Sequence, residues 1–134
     1  MENEILILVV DDDETLRNTL GDMLARKYKV LRAGSGYEAI EVIKKNPVDI
    51  VLSDVRMPQG SGVDLLNWIH SVNPDYPVVV FVSGHTDIKE EAAIQAGAHS
   101  VIAKPFKSKA LFEVIEKIIQ TQVLPYRASQ KKPA

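Results

Sequence analysis

Four short apolar runs each end on a side chain that can hold a cation or a charged group. Ile5 to Val10 runs straight into Asp11-Asp12-Asp13, and Asp49 to Ser53 delivers Asp54. Pro77 to Val82 delivers Ser83, and Ser100 to Ala103 delivers Lys104, followed by Pro105. If these runs are neighbouring strands, acids, a hydroxyl and an amine converge on one edge. Carboxylates gathered there repel, each pair at about 4 Å by ~4 kcal/mol at an effective dielectric of about 20. A hard cation relieves that repulsion, and oxygen-only ligands favour Mg²⁺ or Mn²⁺ over zinc. A nearby lysine keeps an acid ionised and can hold a transferring phosphoryl group, to which a hydroxyl adds a hydrogen bond. A carboxylate nucleophile, a divalent metal and a lysine make a phosphoryl-acceptor site. Strand-end acids are often plain helix caps, which suffices for Asp13 but not for the full set.

The elements that must position these groups are legible. The unbroken runs, rich in branched residues, fit strands covered on both faces, as in a parallel sheet. Tyr28 to Ala33 and Ser100 to Ala103 are weaker strand candidates. Between the strands lie helical patterns. Leu16, Leu20, Met23 and Leu24 follow helix spacing after the capping residues Asp13 to Thr15. Ala39, Ile40 and Ile43 give a second stripe, ended by Asn46-Pro47, and Leu65, Leu66 and Ile69 a third. Ile88 to Ala96 is alanine-rich, with Gly97 as its C-terminal cap. Leu111, Val114, Ile115, Ile118 and Ile119 form the clearest stripe.

The order is βα repeated five times, (βα)5: an α/β fold with one open five-stranded parallel sheet and helices on both faces. Ligands in such sheets sit beyond the carboxyl ends of the strands. A single domain is expected over residues 4–122, with residues 123–134 as a C-terminal tail or linker stub. No further domain is expected after Gln122, so the chain reads either as a stand-alone protein or as a domain cut from something longer.

Composition narrows the class. The 134 residues make one domain with a sizeable core. The absence of cysteine excludes disulfides, thiol catalysis and thiolate zinc sites. A net charge of −2 offers no basic stripe for nucleic acid, and Arg127, Lys131 and Lys132 read as a solvated end. No apolar run approaches the roughly 20 residues that span a bilayer. The acidic N-terminus is no signal peptide, so a cytoplasmic location is expected.

The stretches Leu8 to Asp12, Ser53 to Pro58, Val82 to Gly84 and Ala103 to Phe106 resemble the receiver domain of two-component response regulators, similar to the chemotaxis regulators. The resemblance covers about residues 4 to 122 and implies a flavodoxin-like sheet of order 2-1-3-4-5. It implies that Asp54 accepts a phosphoryl group from a histidine of a sensor kinase or phosphotransfer protein. Asp12, Asp54 and the backbone carbonyl of Arg56 would ligate Mg²⁺, or Mn²⁺ in its place, with Asp11 acting through water. Ser83 and Lys104 would hold the phosphoryl group, and the Lys104-Pro105 bond would be cis. Arg56 and His85, two residues after Ser83, would tune the lifetime of that group. Gly62 matches the family glycine, and Ser61 stands where an aspartate is common, with little consequence expected. At the usual aromatic switch position stands Val101, on which a rotamer switch cannot run. The output face would be the surface of the fourth helix, fifth strand and fifth helix. It would meet a downstream protein, an output domain, or a second copy in a phosphorylation-linked homodimer, without direct contact to nucleic acid or membrane.

Three other patterns compete. Asp11-x-Asp13-x-Thr15 matches the haloacid-dehalogenase phosphatase motif, with Ser83 and Lys104 as its later elements. That family needs a further acidic pair, and beyond Lys104 only Glu113 and Glu116 remain, inside an amphipathic helix. Gly34-Ser-Gly36-Tyr-Glu-Ala39 satisfies a dinucleotide fingerprint but reads better as a tight strand-to-helix turn. A binding-only module with the receiver fold would show no Mg²⁺ dependence, for instance in the fluorescence of the single Trp68. His70 and His99 lack metal-ligand spacing and read as solvated or capping.

Overall fold

The computed structural model describes residues 4–57, 60–84 and 90–130. Five strands, β1 (Leu6–Val10), β2 (Lys29–Ala33), β3 (Ile50–Ser53), β4 (Val78–Ser83) and β5 (Ser100–Ala103), form one parallel sheet in the order β2-β1-β3-β4-β5. Helices α1 (Glu14–Leu24), α2 (Gly36–Lys45), α3 (Gly62–Val72), α4 (Glu90–Ala96) and α5 (Ser108–Ile118) connect or follow them. The expected architecture and strand order are the observed ones.

Alternate residues of each strand feed two separate cores, because successive side chains point to opposite faces. Ile7, Val9, Ile50, Leu52, Val80 and Val82 pack with Leu20 and Leu24 of α1 and with Leu111, Ile115 and Ile118 of α5. Leu8, Val10, Val51, Val79 and Phe81 pack on the other face with Ala39 of α2 and Leu65, Leu66 and Ile69 of α3. This double burial explains why β1, β3 and β4 are unbroken apolar runs.

The caps agree with the local chemistry. Asp13 accepts from the Leu16 amide at 3.1 Å and Ser35 from the Glu38 amide at 3.1 Å. Ser61 forms a capping box with Asp64, so serine at this position caps α3. The Gly34–Ala39 stretch is a turn into α2, whose N-cap is Ser35. Gly97 ends α4 at φ +113, and the His70 ring fills the space beside it. His99 is exposed, its Nδ1 3.3 Å from Ser100 Oγ.

The C-terminal segment departs from expectation. Residues 123–130 do not begin a tail: α5 runs on through a π turn (Ile119–Val123) into α6 (Leu124–Gln130). Pro125 lacks an N–H and its ring crowds the carbonyl a turn earlier, so the helix passes it by widening. Arg127 is no solvated end either. Its Nη2 donates to Asp49 Oδ2 at 2.6 Å and to the Glu4 carbonyl at 2.9 Å. The Tyr126 ring stacks on Tyr76 with centroids 3.9 Å apart. Lys131 and Lys132 lie outside the described residues. Among the described residues, no helix is long and apolar enough to cross a membrane.

Candidate functional site

Strand register alone brings the acids together. Val10 pairs with Ser53, so Asp11 and Asp54 follow the last residues of adjoining strands, and Ser53 with Phe81 and Ser83 with Ala103 carry the same edge across β4 to Lys104 after β5. One carboxylate oxygen from each of Asp11, Asp12 and Asp54 lies within 4.8 Å of the others. Asp11 is buried and Asp12 exposed, with Asp54 between those extremes. Lys104 Nζ stands 3.6 Å from Asp11 Oδ2 and 3.7 Å from Asp54 Oδ2. At those distances it is an ion pair to both rather than a hydrogen bond to either.

Backbone groups fix the two inner carboxylates. Asp11 Oδ1 accepts from the Asp13 amide at 2.9 Å, and Asp54 Oδ1 from the Val55 amide at 2.8 Å. Ser83 is the last residue of β4 and is buried, its hydroxyl donating to the Gly84 carbonyl at 3.1 Å. The Lys104-Pro105 bond is cis, as expected, and so is Tyr76-Pro77. Arg56 is exposed on the loop after Asp54. Val101 is half-buried on β5, packed against the core of the α2–α3 face. His85 lies outside the described residues.

Gly62 holds α3 against the turn that carries Asp54. A Cβ there would stand 2.3 Å from the Asp54 carbonyl oxygen and 3.0 Å from Val55 Cα, atoms that cannot swing aside. Gly62→Ala is therefore expected to cost roughly 1–3 kcal/mol through overpacking and to displace the Asp54 backbone. The shift in denaturant midpoint measures the cost. A midpoint unchanged from the parent would show that α3 has room to move.

A family model for the response regulator receiver domain matches residues 7–116. The chain belongs to the response regulator receiver family. The transcriptional regulatory protein GlrR of Escherichia coli K12 is 36% identical over 116 residues, covering 85% of this chain and 26% of GlrR. The chain thus spans about a quarter of the length of that relative. The chemotaxis protein CheY of Halobacterium salinarum is 29% identical over 114 residues, covering 84% of this chain and 95% of CheY. The crystal structure of a response regulator receiver domain protein from Clostridium thermocellum superposes with a TM-score of 0.83 at 30% identity. That match covers 90% of this chain and 98% of that one.

Receiver domains serve two-component signalling and are generally Mg²⁺-dependent. The acidic cluster of this receiver is an all-oxygen donor set of the kind taken by Mg²⁺, an ion that usually keeps several of its waters. Trp68 is a poor reporter of it: the indole lines a groove with Pro47, Tyr76 and Pro77, beside residues at the start of β3 and β4 rather than at the carboxyl ends. The sequence reasoning did not single out Arg17, whose Nη1 donates to the Asp11 carbonyl at 2.8 Å. Its only signal was an arginine on the first turns of α1.

Proposed function

We propose that this receiver takes a phosphoryl group from the phosphohistidine of a sensor histidine kinase or phosphotransfer protein onto Asp54. The observation that carries this is Lys104 Nζ standing between Asp11 and Asp54 while three carboxylates share one small volume. An Asp54 oxygen attacks phosphorus as the P–N bond breaks. The imidazole leaves with the bonding pair and takes a proton, and Asp54 becomes an acyl phosphate. Lys104 follows the charge from the carboxylate to the phosphoryl oxygens, and the Ser83 hydroxyl leaves the Gly84 carbonyl to donate to one of them. Asp12, Asp54 and the Arg56 carbonyl, with Asp11 acting through water, would hold Mg²⁺, or Mn²⁺ in its place, which would supply charge neutralisation to those oxygens.

Water later attacks the acyl phosphate, restoring the carboxylate and releasing phosphate, with Arg56 and His85 setting the lifetime. The domain catalyses both steps on itself and turns over no separate substrate. Between α1 and the β5–α5 loop, a groove of about 410 Å³ lined by Leu16, Met23 and Phe106 reaches Asp11 and Lys104. It gives a helical phosphodonor an apolar seat beside the acids. With Val101 at the switch position, the changed surface of α4, β5 and α5 is read by a downstream protein or output domain without an aromatic rotamer flip. The protein acts in the cytoplasm.

Incubation with acetyl phosphate and Mg²⁺, followed by intact mass, tests this reading. Wild type should gain one phosphoryl group only with the metal present, and Asp54→Asn should gain none. Loss of labelling in Asp11→Asn with full labelling of Asp54→Asn would move the nucleophile to Asp11 and overturn the proposal.

A further inference from the structure

We propose that Arg17 is a positioning residue for the metal-binding acids, acting through the backbone of Asp11. The proposal rests on the phosphoacceptor reading above and names a part of that site formed by α1.

Asp11 is held at four points. Its amide donates to the Ala33 carbonyl at 3.1 Å, and its side chain accepts from Asp13 and faces Lys104. The fourth is its carbonyl, which accepts from Arg17 Nη1 at 2.8 Å. That carbonyl and the Asp12 amide belong to one planar peptide unit, so fixing the oxygen fixes the direction in which Asp12 leaves the strand. Asp12 is exposed, so packing contributes little to where its carboxylate points. The peptide orientation supplies what packing does not.

Arg17 is itself well placed for this task. Its amide closes the first turn of α1 by donating to the Asp13 carbonyl at 2.9 Å. The guanidinium then crosses Gly34, where a Cβ would stand 3.2 Å from Nη1. A cation donating to a carbonyl is stronger than a neutral donor, and the half-buried side chain is shielded from competing water.

Two physical effects of Arg17 have opposite signs. As a nearby positive charge it opposes Mg²⁺, so its removal would tighten binding. As a tether it preorganises the acids, so its removal would weaken binding. The proposal is that the tether prevails, because groups that orient metal ligands are typically worth 10–100-fold in affinity.

Calorimetric titration of the whole chain with MgCl₂ decides between them. Arg17→Met should bind Mg²⁺ roughly tenfold more weakly, and Arg17→Lys, which keeps a donor and the charge, should recover part of that loss. Labelling by acetyl phosphate in Arg17→Met should return toward the wild-type rate as Mg²⁺ is raised, a split that simple unfolding would not produce. Gly34→Ala crowds the guanidinium without deleting it and should show a smaller loss in the same direction. Unchanged or tighter Mg²⁺ binding in folded Arg17→Met would overturn the proposal, as would a wild type that binds no Mg²⁺. A wild type that binds Mg²⁺ but is never labelled would instead overturn the phosphoacceptor reading, leaving the Arg17 comparison to stand on affinity alone.

Discussion

Asp49→Ala is expected to lower folding stability by about 3–5 kcal/mol, the usual effect of removing one member of a buried, hydrogen-bonded charge pair. For a chain of this size that is a fall of roughly 10–20 °C in melting temperature. Asp49 is only 3% exposed and is the hub of the sheet edge opposite the acids. Its carboxylate accepts from the Leu6 amide at 2.9 Å, from the Tyr76 hydroxyl, and from Arg127 Nε and Nη2 at 3.2 and 2.6 Å. Alanine removes at once the acceptor of a buried backbone donor and of a phenol, and takes the Asp49 hydrogen bonds from a guanidinium that keeps the Glu4 carbonyl. Arg127→Ala should cost less, because its side chain is 26% exposed and Asp49 keeps its other donors. Thermal melts monitored by circular dichroism measure both. Equal losses in the two variants would show that the guanidinium alone carries the energy.

The same hub carries a pH signature. Burial first, then the hydrogen bond to Asp49 and its charge, raises the Tyr76 pKa above its ordinary 10.0, with Arg127 opposing. The folded state thus disfavours the phenolate. Stability from this group is fully present below about pH 10 and is lost as pH rises above it. Tyr76→Phe should lose the hydrogen bond and flatten that alkaline decline. Tyr28, raised mainly by burial and then by the charge of Glu116, keeps part of the decline in place.

What the sequence disclosed and what it hid follow from range. The strands were readable because burial on both faces writes itself into every residue of Ile50–Ser53 and Val78–Ser83. The acids were readable because parallel strands of similar length deliver their next residues to one edge whatever the helices do. The Asp49–Arg127 contact was not readable, since its members stand 78 residues apart and each looks ordinary alone. Pro125 pointed the wrong way: proline usually stops a helix, yet here the chain widens by a π turn and continues. Anchors Ile119 and Val123, both buried, hold that turn down. Arg17 escaped notice because its partner is a backbone oxygen, which leaves no trace in side-chain spacing.

Lys104→Met should separate two properties that wild type keeps opposed. In the folded chain the ammonium lies 3.6 and 3.7 Å from Asp11 and Asp54, so it occupies charge that a divalent cation would otherwise use. Without it the carboxylates repel, by up to ~4 kcal/mol per close pair at an effective dielectric of about 20, and only the metal relieves them. Mg²⁺ should therefore bind Lys104→Met more tightly than wild type and raise its melting temperature by a larger increment. Labelling by acetyl phosphate should move the other way. Loss of one preorganised donor to developing phosphoryl charge costs about 10²–10³ in rate. Methionine keeps an unbranched apolar stem of nearly the same length in the groove it shares with Phe106, so lost packing is not the cause of either change. Calorimetry with MgCl₂ and intact-mass time courses at saturating Mg²⁺ measure the two effects on one preparation. Tighter metal binding with an unchanged labelling rate would assign Lys104 to charge balance in the resting site alone. Slower labelling with unchanged metal affinity would place its ammonium on the phosphoryl group and away from the acids.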